Sequence, residues 1–371
     1  MEQELGIKQS IKKYYDRFSL RKKFVNINER SESLERKYLE LLEENSSIKL
    51  EIKKLINENK DKKLQIERLS DESNDLKCWS MQIFHEYYGL IDSNRKSIAS
   101  LLRSLILKYY EKKKLDLEEK EVIDWLAINN VRMYPYDFCD EYSPNDIEIF
   151  EDNDGWRYVL YNGKQMYFPK TYSDEHIKAY YSFLIMEQDK RSPHCYFIDQ
   201  LDLNNETVFI DAGAAEGLIG LSVVEEVKSL YLIECDKLWI EPLQRTFRLY
   251  SNVHIVDKMV GKSNTDSMIT LNSIITGKER VVIKADVEGA EPDLLKGLDN
   301  VYLKSGSALI LCAYHNQSDE RTICSIFAKQ GISHEISNGF VIPLLGEYEE
   351  PYLRRALVRC IIEKDIEFKY L

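Results

Sequence analysis

The clearest hydrophobic pattern lies in the second half of the chain, where short apolar runs alternate with longer amphipathic segments. From Thr207 onward the strand-like runs are Val208–Ile210, Leu230–Ile233, His254–Val256, Val281–Ile283 and Ala308–Cys312. Helix-like segments separate most of these runs, which is typical of a doubly wound, mostly parallel α/β sheet. Two later runs, Gly339–Pro343 and Ala356–Ile362, predict a terminal antiparallel pair.

A different period, of seven residues, occupies the segment 30–77, which contains no Gly or Pro. Leu or Ile recurs seven or fourteen residues apart, and a second series follows each member by four residues; the two series are Leu34, Leu41, Ile48, Leu55, Leu69 and Leu76, and Tyr38, Asn45, Ile52, Asn59 and Ile66. Assigned to positions d and a, they predict a parallel coiled coil that makes the chain a homodimer or higher oligomer, with two buried Asn residues fixing its register. Because Lys62 and Ser73 interrupt the seam, a solvated helix packed on its own body is the alternative.

The region between these two patterns predicts helices followed by a small β-meander. Three strand-like runs, Ile147–Phe150, Trp156–Tyr161 and Gln165–Phe168, are separated by the hairpin signals at residues 153–155 and 162–163. A shorter helix is expected around Val122–Ala127, after a charged break at 111–121. We therefore expect four regions: a coiled coil at 1–78, a helical linker at 79–134, the meander at 135–172 and the α/β domain at 173–371.

Composition narrows the class of protein. The net charge of −12 argues against a surface that binds nucleic acid over the whole molecule. The seven cysteines include no C-x-x-C pair, which is typical of a reduced cytosolic protein without a thiolate zinc site. No run of about 18 apolar residues predicts a transmembrane helix, so the expected location is the cytoplasm.

Two strand ends predict a cofactor crevice. After the first strand, Asp211 is followed by Gly213 and Gly217, four residues apart, which fits the G-x-G-x-x-G turn of dinucleotide enzymes poorly. The second strand ends in Glu234, the usual position of an acid that binds a ribose diol. S-adenosylmethionine matches the three features of this crevice. Its ribose suits the acid, its lack of phosphate suits the glycine turn, and its sulfonium cation suits the further acids.

A third strand end carries the densest chemistry, since Asp286, Glu288 and Glu291 follow Val281–Ile283 within a few residues. Carboxylates at this edge of an open α/β sheet meet ligands, although acids near a helix N-terminus are also stabilising without any function. Lys284, inside the strand, either reaches a carboxylate in the site or caps the strand edge. His315 follows the next strand and is a candidate general base, or a locally hydrogen-bonded loop histidine.

These motifs together resemble the FkbM family of S-adenosylmethionine-dependent methyltransferases, over roughly residues 180–362. The resemblance is carried by Asp211-Ala-Gly-Ala-Ala-Glu-Gly217, by Glu234, by Ile283-Lys-Ala-Asp-Val-Glu-Gly-Ala-Glu-Pro292, by Leu295-Lys-Gly297 and by Ser192-Pro-His-Cys-Tyr196 upstream. One departure is Asn272, where the pattern has an Asp after Thr-Leu. The resemblance implies a Rossmann-like methyltransferase that transfers a methyl group to oxygen, with a glycan or nucleotide-sugar hydroxyl of capsule, lipopolysaccharide or exopolysaccharide type as acceptor. No nucleic-acid partner is expected, because of the acidic net charge, although that charge leaves room for a local basic groove.

The resulting site prediction has three sets of residues. Asp286, His315 and Glu288 are the catalytic candidates, His194 and Glu291 the acceptor-side candidates, and the cofactor set is Asp211, Gly213, Ala214, Glu216, Gly217, Glu234, Cys235, Asp257, Lys258 and Asp286. A divalent metal on Asp286, Glu288 and His315 is chemically possible but not compelled by any spacing, and no metal is included. The alternatives are a methyltransferase for a non-sugar metabolite, and an inactive scaffold that works through its coiled coil.

Overall fold

The computed structural model describes residues 99–277, 279–344 and 349–370. The heptad segment 30–77 lies outside this range, as does most of the helix expected from residue 79 to residue 110; its described part, 99–110, is helical. Residues 106–344 and 349–371 form one compact unit, and the fold and the candidate site lie within it.

In the described part of the chain, seven strands form one central sheet. From one edge to the other they are β12 (Glu335–Ile336), β13 (Leu357–Ile361), β11 (Ala308–Cys312), β9 (Arg280–Ala285), β4 (Thr207–Ala212), β5 (Ser229–Ile233) and β6 (Val253–Val256). Five neighbouring strands are parallel: β4 (Thr207–Ala212), β5 (Ser229–Ile233), β6 (Val253–Val256), β9 (Arg280–Ala285) and β11 (Ala308–Cys312). Their near-continuous apolar sequences suit strands that are covered on both faces. The predicted mixed, mostly parallel α/β fold with antiparallel terminal strands is confirmed.

Two of the terminal strands close the sheet. Strand β13 (Leu357–Ile361) pairs antiparallel with β11 on one side and with β12 (Glu335–Ile336) on the other. The predicted pairing of Ala356–Ile362 with Gly339–Pro343 is therefore wrong in its main partner: the earlier run makes a single antiparallel bridge, Val341 to Arg354. The apolar side chains of β13 are buried better against the parallel sheet than a two-stranded hairpin would allow.

Short helices connect the parallel strands. They are α3 (Leu218–Val223), α4 (Lys237–Thr246), α5 (Glu291–Lys296) and α6 (Asp319–Lys329), which follow β4, β5, β9 and β11 in turn. Strand order runs outward from β4 in one direction towards β6 and from β9 in the other towards β11. Such a reversal leaves a crevice at the carboxyl ends of the central strands, which is where open α/β sheets bind ligands.

The core lies between the sheet and the helices. Buried side chains of β4, β9 and β11 pack with Leu294 and Leu295 of α5 and with Ile323 and Phe327 of α6. Two small pairs extend this layer: β10 (Val301–Leu303) with β14 (Ile366–Phe368), and β7 (Met259–Val260) with β8 (Met268–Ile269).

The predicted β-meander is present as β1 (Phe150–Glu151), β2 (Arg157–Tyr161) and β3 (Lys164–Tyr167). The turn between β2 and β3 is Asn162-Gly163, with φ of 49° and 79°, as a tight hairpin turn requires. The backbone amide of Tyr167 donates to Thr246 Oγ1 of α4 at 3.0 Å, and Tyr161 Oη lies 3.0 Å from Ser222 Oγ of α3. The meander is therefore packed onto the helices that follow β4 and β5.

Two further helices precede the sheet: α1 (Leu117–Ile128) and α2 (Asp174–Glu187). Helix α1 begins inside the segment expected to be a charged break, because Asp116 and Glu119 form a reciprocal capping box. Ser173 caps α2 by accepting a hydrogen bond from the amide of His176. The hydrogen-bonded cap at Asp116 thus sets a helix start that the apolar pattern alone places several residues late.

Among the described residues, no helix is long and apolar enough to cross a membrane.

Candidate functional site

The glycine turn after β4 joins three strand ends. The amides of Gly213 and Ala214 both donate to the carbonyl of Ile233, at 2.9 and 3.2 Å, which ties the turn to the end of β5. Gly213 has φ of 74°, and a Cβ placed on it would lie 1.8 Å from the carbonyl oxygen of Asp286, after β9. Only glycine lets the two backbones approach this closely.

Glu234, at the end of β5, is buried at 8% exposure and fixed by backbone amides. One oxygen accepts from Ala215 N at 2.8 Å, and the other accepts from Cys235 N and Asp236 N, both at 2.7 Å. Burial raises the pKa of Glu234, although these hydrogen bonds oppose the rise. Three of the roughly four acceptor positions of a carboxylate are thereby occupied, and one is left for a ligand.

Asp211 and Lys284 form a buried ion pair beneath the turn. Lys284 Nζ lies 2.9 Å from Asp211 Oδ1 and donates to the carbonyl of Gly213 at 2.8 Å. Burial opposes the charge of Lys284, but Asp211 raises the pKa of the amine above its ordinary value. Of the two interpretations of Lys284, the structure thus favours contact with a carboxylate. The cation that Asp211 meets is this lysine, which supports the turn from inside the protein.

Asp286, after β9, is the partly open member of the site, with 24% of its side chain exposed. Each of its oxygens has its own partner: Oδ1 lies 3.2 Å from His315 Nε2, and Oδ2 accepts from Tyr196 Oη at 2.9 Å. Burial favours the neutral acid, but the hydrogen bond from His315 and the charges of His315, Lys284 and His194 hold the pKa of Asp286 below its usual range. The group is therefore a carboxylate at neutral pH.

His315 lies between two carboxylates, with Nδ1 at 3.1 Å from Glu291 Oε1 and Nε2 at 3.2 Å from Asp286 Oδ1. Burial opposes its charge, yet the two carboxylates raise the pKa of the imidazole well above its ordinary value. A protonated imidazole carries a hydrogen on both nitrogens and has no lone pair for a further proton. This arrangement does not favour the expected near-neutral base.

Glu291 and His194 are both fully buried, at 0% exposure, and so face protein groups. Glu291 Oε1 also accepts from the amide of Val287 at 3.0 Å, so it holds the start of α5 as well as His315. His194 Nδ1 lies 2.7 Å from Glu187 Oε1, and its Nε2 faces Asp286 Oδ2 at 3.9 Å. Both residues were predicted to lie on the acceptor side. In the structure both side chains are buried, His194 facing Asp286 and Glu291 contacting His315.

Glu216 connects the glycine turn to α2. It is nearly buried, and Tyr180 Oη donates to its Oε2 at 3.1 Å. The Tyr180 ring stacks on Trp239 of α4 with centroids 5.6 Å apart. Burial raises the pKa of Glu216 to about 7.

The remaining candidates, Glu288, Asp257 and Lys258, are exposed or half-buried. Glu288 is exposed in the turn after Asp286, with φ of 55°. Asp257 pairs with Lys237, and Lys258 Nζ donates to the carbonyl of Thr265 at 3.2 Å. Asn272 forms part of a separate loop network with Thr270, which separates this position from the strand-end site.

Two sets of possible metal ligands occur among the described residues: His194, Asp286 and Cys312, and Asp286, Glu291 and His315, with donor atoms within 4.8 Å of one another in each set. The second set differs in one residue from the metal ligands considered from the sequence, because it contains Glu291 in place of Glu288. In the second set, the imidazole already lies between the two carboxylates and acts as their counter-ion.

Tyr196 and Glu187 have no role among the residues predicted from the sequence, although Tyr196 lies in a segment that carries the family resemblance. Neither occupies a strand end, and no periodicity marks them. The contact that reveals Tyr196 joins residues 90 positions apart, Tyr196 and Asp286, and Glu187 is linked to them only through His194.

No protein-family model matches the chain, and no curated protein matches it. Among solved structures, an FkbM methyltransferase from Methylobacillus flagellatus KT is 17% identical, with a TM-score of 0.34, over 50% of this chain and 54% of its own length. Precorrin 8w decarboxylase from Methanobacterium thermoautotrophicum is 14% identical, with a TM-score of 0.32, over 43% of this chain and 84% of its own. An rRNA methylase from Streptococcus thermophilus is 15% identical, with a TM-score of 0.32, over 44% of this chain and 90% of its own. At these scores, the function must be inferred from the site itself.

Proposed function

We propose that this chain is an S-adenosylmethionine-dependent methyltransferase. The observation that carries the proposal is the convergence of three strand ends: the Gly213–Gly217 turn, the Glu234 carboxylate and the Asp286 carboxylate. The glycine turn allows a ligand to approach the backbone closely, and both acids face the same crevice region of the sheet. An anionic crevice suits a sulfonium cofactor and opposes a diphosphate.

In this proposal Glu234 binds the ribose of the cofactor. Its carboxylate is held rigidly by the amides of Ala215, Cys235 and Asp236, and its remaining acceptor position receives one ribose hydroxyl. Gly213, Ala214 and Gly217 then form the backbone surface against which the cofactor lies. Asp211 and Lys284 act from below by fixing the Gly213 carbonyl.

Asp286 is the residue that we assign to the reacting atoms. In methyl transfer, the carbon–sulfur bond breaks as the carbon–oxygen bond forms, and the sulfur keeps the electron pair as a neutral thioether. The acceptor oxygen becomes strongly acidic as it gains the methyl group, so even a carboxylate of low pKa can take its proton. Alignment of the acceptor oxygen by a fixed carboxylate supplies the larger share of the rate in this scheme.

For the acceptor we propose a sugar hydroxyl of a glycan or glycan precursor. The support is the resemblance to the FkbM family, together with Glu288, an exposed acid two residues after Asp286 that can accept hydrogen bonds from neighbouring hydroxyls.

The cofactor is tested by calorimetric titration of S-adenosylmethionine into wild type, Glu234→Ala and Glu234→Gln. We expect micromolar binding by wild type, and a loss of at least about tenfold in both variants, since a charged hydrogen bond contributes about 1.5–3 kcal/mol. Glu241→Gln, an exposed acid on α4, is the matched control and should bind like wild type. A wild-type protein that does not bind the cofactor would contradict the proposal.

The acceptor is tested with methyl-labelled S-adenosylmethionine and a panel of nucleotide sugars, polysaccharides and amines. We expect the label on a sugar oxygen. Label on nitrogen or on a carboxylate would overturn the proposed acceptor and leave the proposed cofactor intact.

A further inference from the structure

Asp286 is held from two sides, and only one side belongs to the strand-end site described above. Oδ1 meets His315 from the segment after β11, whereas Oδ2 accepts from Tyr196 Oη at 2.9 Å. Tyr196 lies in the connection between α2 and β4. A carboxylate with a separate donor on each oxygen, each donor from a different element, cannot rotate about its Cβ–Cγ bond without losing one of them.

Tyr196 is itself held by His194, which is fully buried. Its hydroxyl lies 3.4 Å from His194 Nε2, and His194 Nδ1 lies 2.7 Å from Glu187 Oε1 at the end of α2. Cys312 Sγ, from the last residue of β11, lies 3.3 Å from the same His194 Nε2. The aromatic rings of Tyr134 and Tyr314 flank His194, with centroids 6.2 and 5.2 Å away.

Such a group is expensive as a purely structural element. Burying a histidine and a carboxylate requires their desolvation, and apolar side chains of similar size would fill the same space at no such cost. The contacts from Glu187 through His194 and Tyr196 instead end at Asp286, a carboxylate with 24% of its side chain exposed.

We propose that Tyr196, held by the Glu187–His194 pair, is a positioning residue for methyl transfer, which fixes the plane of the Asp286 carboxylate towards the acceptor. This inference rests on the proposed function and deepens it by assigning the buried residues behind the site. Tyr196 and His194 touch neither cofactor nor acceptor in this scheme; they act through Asp286.

The decisive variant is Tyr196→Phe, which removes one hydroxyl and keeps the ring. We expect kcat with the acceptor found in the labelling screen to fall by about 10- to 100-fold, because small errors in the placement of reacting groups cost rates of this order. The dissociation constant for S-adenosylmethionine should stay within about twofold of wild type, because the lost contact does not reach the cofactor. Glu187→Gln should give a smaller loss of kcat. Tyr181→Phe, a buried tyrosine on α2 whose hydroxyl lies near the carbonyl of Leu160, is the control that should leave kcat unchanged.

The pH profile separates positioning from general stability. Tyr196→Phe removes a donor from Asp286, so the acid limb of kcat should move to higher pH. The other titratable groups facing Asp286 are unchanged in this variant; they are His315, His194, Lys284, Cys312, Asp211, Tyr134 and Tyr314. Wild-type kcat with an unshifted acid limb would overturn the inference.

A second measurement needs neither cofactor nor acceptor. With histidine labelled in 15N and 13C, the six imidazoles can be followed by NMR and His194 assigned by His194→Gln. We expect the His194 ring nitrogens to shift in Tyr196→Phe and in Glu187→Gln, and not in Tyr181→Phe. Unshifted signals would show that the buried chain is absent and would overturn the inference even if the enzyme methylates its acceptor. Absence of cofactor binding by wild type would instead show that the proposed function has failed, and the assigned role with it.

Discussion

At the scale of single residues, the meaning of a charged side chain depends on what surrounds it. Lys284 looks ambiguous inside an apolar strand, yet its amine has two defined partners, Asp211 Oδ1 and the Gly213 carbonyl. His315 has the residue type of a general base, but its two carboxylate neighbours raise the pKa of the imidazole well above its ordinary value. Residue type alone therefore indicates that chemistry is present, while the contacts decide which group performs it.

The close approach at Gly213 predicts a large effect of a single methyl group. Gly213→Ala should destabilise the protein by more than about 4 kcal/mol and abolish cofactor binding, because its Cβ would meet the Asp286 carbonyl at 1.8 Å. Gly163→Ala is a matched control, since Gly163 has φ of 79° and nothing within 4 Å of the added Cβ. It should cost about 1–2 kcal/mol through backbone strain alone. Urea unfolding measures both, and equal losses would contradict the argument from close approach.

The His315 environment predicts a defined pH dependence of stability. Its pKa is raised in the folded protein, whereas the unfolded side chain titrates near about 6.5. The stabilisation is therefore complete below about pH 6.5 and is lost as pH rises through the folded-state pKa. His315→Gln should cost about 3–5 kcal/mol near pH 6, by leaving two carboxylates unpaired, and progressively less at higher pH.

Urea unfolding of wild type and His315→Gln at a series of pH values checks this prediction. His254→Gln, at an exposed histidine on β6, is the control and should change the free energy of unfolding by no more than about 0.5 kcal/mol. A constant difference between wild type and His315→Gln from about pH 6 to 9 would show that the imidazole is not protonated by its neighbours.

At the scale of elements, the site exists because strands of one direction end at one edge of a sheet. The carboxyl ends of β4, β5 and β9 carry Asp211, Glu234 and Asp286. The parallel register of these strands brings the three acids together. Helix α2 also contributes to the surroundings of the site, because its last residue, Glu187, contacts His194. The meander belongs to the same assembly through α3 and α4.

The docking of the meander can be tested at one hydrogen bond. Thr246→Val keeps the shape of the side chain and removes the acceptor of the buried Tyr167 amide, so it should cost about 1–3 kcal/mol. Thr322→Val on α6 is the control, because that hydroxyl only donates to the nearby Ser318 carbonyl; it should cost within about 0.5 kcal/mol. Chemical unfolding measures both, and equal values would show that the meander does not depend on this contact.

At the scale of the whole molecule, the α/β unit and the heptad segment raise separate questions. Residues 106–344 and 349–371 form the unit that contains every candidate site residue. The heptads at 30–77 lie outside the described residues, and the expected coiled coil stays a prediction. We propose that it makes the protein a parallel dimer, with Asn45 and Asn59 fixing the register.

Light scattering tests the dimer directly. We expect the full chain to be dimeric, and a chain lacking residues 1–77 to be monomeric, because the seam of Leu and Ile residues would be removed. A monomer in both cases would exclude the coiled-coil dimer. A dimer in both cases would place the interface elsewhere.

The sequence by itself determined the parallel strands of the sheet and indicated candidate positions for chemistry directly after them. Buried parallel strands need continuous apolar runs, and a ligand crevice needs small residues and acids directly after them, so both leave local signals such as those at residues 208–217 and 281–291. Helix starts and the partner of Ala356–Ile362 were less accessible, because caps and sheet pairing depend on single hydrogen bonds and on distant neighbours.

Only the tertiary structure decided what each site residue contacts. Tyr196 and Asp286 are 90 positions apart, and Cys312 and His194 are 118 apart. Protonation follows from such neighbours, since burial and nearby charge shift a pKa and both are properties of three-dimensional placement. For that reason only the structure shows that His315 lies between two carboxylates and that His194 is fully buried.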